Sequence, residues 1–467
     1  MRRPYPIIEE IDNPPDPFSI FVSVKDRPYS FFLDSACDET KLGKFSFIGC
    51  DPFLVFRSKG DHIALEWKGG TKEVLRSDPF TALKKIFKEY PVAAGDKRVP
   101  FPGGAVGYFS YDLKGLIEEL PAASVDDLGI PDCMLGFYDT IVACDNLKKQ
   151  CYISSIDGSA QKIQEMRRRI AGGRGAGKDF AEPSHIALTS NFSKDAYIEA
   201  VKKAKDHIKK GDIYQVNLSQ RFHAKLAMDP VELYSRLRNF SPAPFASYLN
   251  FGDVTVLSSS PERFLLKRGG CIETRPIKGT RPRGHDTVSD SMLEKELIDS
   301  AKDAAEHIMI VDLERNDLGR VCEYGSVRPT ESMVVEKYAN VFHLVSTVAG
   351  RLRKGTDPID CILAAFPGGS ITGAPKIRSM EIIDELEGLK RSVYTGAIGY
   401  ISFDGDMDTS IVIRTFVIKG KDVYFQVGGG IVADSDPEKE YEETLHKARG
   451  LMQALGIDVT ERETVPA

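Results

Sequence analysis

Residues 397–403 read AIGYISF, residues 411–418 read IVIRTFVI and residues 423–427 read VYFQV. Each run is dense in β-branched and aromatic side chains, the composition that suits a pleated, half-buried surface. The connections, 404–410 and 419–422, are too short for the crossover that parallel strands need, so the runs read as antiparallel neighbours. The same texture recurs at 20–24, 45–48 and 140–143 between turns, and residues 1–165 read as an N-terminal β-rich region.

Outward from these strands, helical patterns appear. Residues 195–209 predict a helix ended by Gly211, followed by a strand over 213–218. Across 292–313, Leu297, Ala301, Ala304, Ile308 and Val311 keep the 3-and-4 spacing of a helix packed on a sheet. Near the end, Ser435 and Glu438 fit a capping box with Pro437 in the first turn of a helix. Segment 166–185 contains AGGRGAGKD at 171–179, too glycine-rich for regular structure, and reads as a surface linker before a second region, 186–460. Gly172, Gly177 and Lys178 imitate a phosphate loop. A helix-like run precedes them, however, and Asp179 stands where a magnesium-binding hydroxyl belongs, which argues against nucleotide binding.

With 467 residues, 42% hydrophobic content and a net charge of -6, the chain can bury a large core and has no basic surplus to meet nucleic acid or an anionic membrane. Its eight cysteines show no CxxC pair and read as buried free thiols of a reducing cytoplasm. Glu9, Glu10 and Asp12 follow the first arginines where a signal peptide would be apolar, and no run approaches the roughly 20 apolar residues of a membrane span. A cytoplasmic protein is expected.

The chemistry concentrates around Arg275-Pro276-Ile277-Lys278-Gly279-Thr280. Proline and glycine bracket the amine on what reads as a tight turn at a strand end, and Arg275, Arg281 and Arg283 are expected to favour its neutral, nucleophilic form. Together with FPGGSITGAPK at 366–376, this stretch resembles the chorismate-utilising enzymes. Within them it is similar to the synthase components that make 4-amino-4-deoxychorismate, which carry lysine where the sister anthranilate synthases carry alanine. The resemblance covers nearly the whole chain, most densely 213–448, and implies an α/β (α+β) fold: one large body of antiparallel sheets packed as a sandwich, flanked by helices.

What the resemblance implies for the site follows residue by residue. Mg²⁺ would hold the ring carboxylate of chorismate through Glu306 and Glu443, with Glu440 one helical turn away in or just behind the same shell. Tyr394, Arg414 and the backbone N–H groups of Gly428, Gly429 and Gly430, three glycines expected to follow the 423–427 strand and otherwise an ordinary turn, would receive the enolpyruvyl carboxylate. His343 and Ser370 match ring-binding positions, and Glu262 matches the acid that protonates the departing 4-hydroxyl. Gln215 occupies the place of a lysine base in relatives that add water; glutamine takes no proton at neutral pH, so hydration chemistry is not expected. Periodicity alone argues otherwise about the metal, setting Glu306 and Glu443 opposite the apolar stripes of their helices.

The implied reaction is attack of Lys278 on chorismate, then replacement by ammonia at C4, on the route to p-aminobenzoate and folate. The alternative is anthranilate synthase component I chemistry, in which ammonia enters at C2 and pyruvate leaves. No cysteine has the nucleophile-elbow setting of a glutamine amidotransferase, so ammonia is expected from a partner subunit of that kind. A second class, a catalytically silent effector-binding relative, is suggested by Leu33-Asp34-Ser35 and by Pro242 and Phe245, which imperfectly resemble a tryptophan pocket. Aspartate stands where feedback-controlled relatives have glutamate.

Overall fold

The computed structural model describes residues 5–35, 42–93, 98–121, 123–172, 186–338 and 341–457. Two 12-stranded sheets carry the fold, and every pairing between their named strands is antiparallel.

Both sheets mix the two halves of the chain. In the first, Phe31–Asp34 pairs with Phe245–Asn250, joining the N-terminal strands to Val254–Ser260, Thr415–Lys419, Asp422–Ile431 and Gln215–Lys225. In the second, Gly104–Phe109 pairs with Ala397–Ser402 in the same way. Phe47, Tyr108 and Tyr138 from one half meet Val256, Ile398 and Tyr400 from the other in a shared buried cluster. The helices Pro17–Val24, Pro230–Phe240 and Pro437–Leu455 contribute Phe21, Leu233 and Leu451 to a separate cluster against the first sheet. A further cluster lies on the second sheet beneath Pro79–Glu89 and Pro358–Ala365.

The opening stretch is where the sheets exchange the chain. Strand Ala397–Ser402 is as expected, but the run over 411–418 is two strands: Met407–Ile411 ends in the second sheet and Thr415–Lys419 begins in the first. Between them Arg414 takes a left-handed conformation, φ 53°. The glycines 428–430 likewise are no turn; they belong to the strand Asp422–Ile431 and pair with Ser219, Leu218 and Asn217.

Other local expectations change as well. Residues 20–24 are helical within Pro17–Val24, because the Asp16 side chain caps the Ser19 N–H and Pro17 opens the first turn. The span 292–313 is broken at Ser300, which ends Thr287–Asp299 and caps Ala301–Gly319. The second of these helices buries His307, Ile310, Glu314, Asp317 and Leu318, while Ile308 is 56% exposed. The C-terminal helix is capped by Asp436, and the Ser435 hydroxyl turns instead to Glu440. Helix Ala160–Gly172 occupies the first part of the 166–185 segment; 173–185, with the phosphate-loop imitation after Gly172, lies outside the described residues. Cys144 and Cys151, expected as free thiols, are directly opposed across a hairpin and joined by a disulfide. Cys271 is free and exposed, and Cys37 lies outside the described residues.

Candidate active site

The candidate residues gather where the chain crosses between the sheets. Lys278 lies in strand Ile277–Pro282, and Gly279, φ 74°, makes a bulge there where a tight turn was expected. The bulge leaves the Lys278 amine 3.2 Å from the Ser370 carbonyl, to which it donates. Burial lowers the pKa of this amine, against the raising influence of Glu306 and Glu262. The expected arginine neighbours play another part. Arg275 pairs with Glu336 at 2.6 Å, Arg281 with Glu296 at 2.8 Å and Arg283 with Asp290 at 2.8 Å, so carboxylates absorb their charge. Lys447 is the cation that acts on Lys278.

Glu262 sits at the end of the strand Val254–Ser260, 5% exposed, and takes a weak 3.4 Å contact from the Ile277 N–H. Burial pushes its carboxyl up to about 7, opposed by a hydrogen bond from Ser370 and the charge of Lys278. An acid raised to about 7 and an amine whose pKa burial lowers thus flank one serine.

The other candidates line the same region. Gln215 is 1% exposed, and neither atom of its side-chain amide has a hydrogen-bond partner. A Cβ at Gly430 would stand 2.4 Å from its Nε2, so the absence of a side chain at 430 lets the Gln215 amide approach the backbone, with Lys278 Nζ at ordinary contact distance, 3.7 Å. His343, buried on Val341–Arg351, meets the Thr280 hydroxyl at 3.0 Å; burial and then Arg414 lower its pKa to about 3, which keeps the ring neutral. Tyr394 is 7% exposed and burial raises its phenol. Arg414 is partly buried; its carbonyl accepts from the Ser259 N–H at 3.1 Å, while its guanidinium has no hydrogen bond or ion pair among the described residues, and burial lowers its pKa against the influence of Tyr394. An unmatched guanidinium in a cleft is a ready anion socket.

The acidic side of the cleft is formed by Glu306, Glu440 and Glu443. Glu306 retains 20% side-chain exposure, and burial raises its carboxyl against Lys278 and Lys302. Glu443, half exposed at 51%, is lowered by Lys447, 2.7 Å away. Glu440 is 7% exposed, and burial raises it while Ser435 donates to it at 2.6 Å. Among the described residues no three His, Cys, Asp or Glu side chains converge closely enough to hold a metal unaided. Oxygen-only donors in small number are what Mg²⁺ accepts when water and a ligand complete its shell, so this donor set fits it. Lys447 was missed from sequence. It donates to the Gly428 carbonyl at 2.9 Å, and its i,i+4 spacing from Glu443 was the available signal.

The residues expected to resemble an effector pocket lie elsewhere. Ser35 and Phe245 line a cavity of about 420 Å³ with Arg263, Arg268 and Tyr400; Pro244, and not Pro242, completes that wall. The Asp34 carboxylate at its edge is already engaged by Arg238 and by the Tyr234 hydroxyl at 3.2 Å.

Comparison with known proteins bears on the family and the fold. A family model described as chorismate binding enzyme matches residues 29–453. Anthranilate synthase component 1 of Acetivibrio thermocellus is 40% identical over 460 residues, covering 94% of this chain and 92% of that protein. Aminodeoxychorismate synthase component 1 of Bacillus subtilis (strain 168) is 39% identical over 446 residues, covering 94% and 93%. The solved anthranilate synthase component I of Streptococcus pneumoniae TIGR4 matches with a TM-score of 0.79 at 32% identity, over 89% of this chain and 93% of that one. By sequence and by the two-sheet architecture, the chain belongs to the chorismate-binding enzyme family and has the fold of anthranilate synthase component I.

Proposed function

We propose that this chain converts chorismate and ammonia to 4-amino-4-deoxychorismate, with the ammonia released by a glutamine amidotransferase partner. The observation that carries the reading is Lys278: an amine whose pKa burial lowers, fixed beside an acid raised to about 7.

The Arg414 guanidinium and Tyr394 orient the enolpyruvyl carboxylate, and Glu306, Glu443 and Glu440 are the residues that would hold Mg²⁺. When bound, that ion neutralises and orients the ring carboxylate. The neutral Lys278 amine forms a bond to C2 with its lone pair; the ring double bonds shift and the C4–O bond breaks. Glu262 gives its proton to the departing hydroxyl, which leaves as water. Ammonia then bonds to C4, the double bonds shift back, and the C2–N bond breaks with its electrons returning to Lys278, which leaves neutral. The new C4 ammonium returns a proton to the Glu262 carboxylate. Gln215 offers no base for water, which suits amination over hydration.

Anthranilate formation is the second reading, favoured by the 40% identity to an anthranilate synthase component. Product mass after incubation with chorismate, Mg²⁺ and ammonium separates the two. Aminodeoxychorismate, a wild-type mass increase on Lys278 and its loss in Lys278→Ala are expected. Anthranilate as product, or full activity in Lys278→Ala, overturns the proposal. Glutamine should replace ammonium only when the amidotransferase is added.

A further inference from the structure

One buried acid faces the reacting groups from behind and has no part in the steps above. Glu314 lies on the inner face of Ala301–Gly319 and is 2% exposed. Its Oε1 accepts the Gly369 N–H at 2.9 Å, and its Oε2 has no partner. Glycine eases this approach: a Cβ at 369 would stand 3.0 Å from that Oε1 and 2.7 Å from Leu313 Cδ2, and both would have to give way. The peptide so gripped leads directly into Ser370. The Ser370 carbonyl accepts from Lys278 at 3.2 Å, and its side chain acts on the Glu262 carboxyl, holding its pKa down against burial.

The same helix holds the rest of the segment. Asp317, one turn on, pairs with Lys376 at 2.6 Å, and Lys376 also donates to the Ala365 carbonyl at 2.9 Å. On the far side of the turn, Arg391 donates to the Ile371 carbonyl at 3.0 Å. The turn that presents Ser370 is therefore clamped by buried acidic and basic side chains on both flanks. Glu314 is the clamp nearest the serine.

We propose that Glu314 is a positioning residue: by accepting the Gly369 N–H, it sets where Ser370, and through it the Lys278 amine and the Glu262 carboxyl, stand against the substrate. This rests on the reading of Lys278 and Glu262 as the reacting groups. An unheld N–H would let the turn shift, and a displacement on the order of 1 Å at reacting groups costs about 100-fold in rate.

Two conservative variants of the full chain separate the reach of the acceptor from the carboxyl group itself. Glu314→Gln keeps the length and an acceptor oxygen; Glu314→Asp keeps the carboxyl group, which burial raises to about 8 in Glu314, and withdraws the acceptor by one methylene. The readouts are the rate of mass increase on Lys278 with chorismate and Mg²⁺ in the absence of ammonium, kcat and KM with ammonium, and the thermal midpoint. Glu314→Gln should stay within about threefold of wild type, while Glu314→Asp slows both adduct formation and kcat by about 10- to 100-fold at little-changed chorismate KM. Wild-type rates in Glu314→Asp overturn the proposal. So does a Glu314→Gln loss as large as that of Glu314→Asp, or a lowered midpoint in either variant with rates per folded molecule unchanged. If wild type forms no adduct, the Lys278 reading fails first, and the kcat order of the two variants still judges Glu314.

Discussion

Replacing Arg414 by methionine should move binding and stability in opposite directions. The residue sits at the crossing between the sheets, partly buried at φ 53°, its guanidinium without a hydrogen bond or ion pair among the described residues. Free protein therefore carries an unmatched guanidinium, and a substrate carboxylate would match it. Losing a hydrogen bond to a charged group removes about 1.5–3 kcal/mol, which weakens chorismate binding by about 10- to 150-fold. The same change takes an unpaired cation out of a half-dry cleft. A gain on the order of 1 kcal/mol then raises the unliganded Tm by roughly 1–2 °C in a chain of this size. Methionine fills the arginine stem's space and leaves the backbone conformation as it is. Calorimetric titration of chorismate with Mg²⁺, without ammonium, measures the first effect; thermal unfolding of the free protein measures the second. Unchanged affinity, or a Tm lowered by several degrees, refutes the reasoning, since the latter means that Arg414 is already paired.

Glu306→Gln and Glu443→Gln should each raise the Mg²⁺ concentration for half-maximal activity at least about tenfold, because loss of even an outer-shell partner weakens metal sites by about 10- to 100-fold; equal Mg²⁺ activation in both variants returns these residues to solvent. Glu262, lifted from 4.5 to about 7, should give the rate an alkaline limb near that value as its acid form is lost. The folded protein holds this proton more tightly than the unfolded one, so Glu262 lowers stability as pH rises through that window, and Glu262→Gln should gain Tm at pH 8 relative to pH 5 while losing kcat; a flat difference denies the burial. Tryptophan should give no heat on titration, because Asp34 is occupied by Arg238 and Tyr234; saturable heat would show that this pair opens.

Much of the sheet framework was legible because period-2 patterning and short connections are local signals. Residues 45–48, 140–143 and 397–403 are strands, as their composition says. The break inside 411–418 was not legible. The β-branched run continues through it, and what stops the strand is distant: the Val412 N–H donates to the Gly396 carbonyl at 3.0 Å and Arg414 turns left-handed. At 20–24 the signal was present and misread. An apolar run serves helix or strand alike, and Asp16-Pro17 was the start signal that decides. Cys144 and Cys151 were also within reach, since a hairpin turning on 146–149 sets them opposite each other.

The candidate site resisted pattern reading for one physical reason. An amphipathic pattern assumes that the buried face is apolar, yet Ala301–Gly319 turns His307, Glu314 and Asp317 inward and leaves Ile308 outside. Burying such groups is costly unless each is held. Here Ser346 holds His307 at 2.6 Å, the Gly369 N–H holds Glu314 and Lys376 holds Asp317. Each partner comes from a strand or turn remote in sequence, and none is visible in the helix itself. Sequence rules fail first where the fold supports chemistry at a cost in stability. The inverted face of this helix, with Glu306 at its margin and Glu314 behind Ser370, is such a place, and it explains why the resemblance could point to Glu306 while periodicity pointed away.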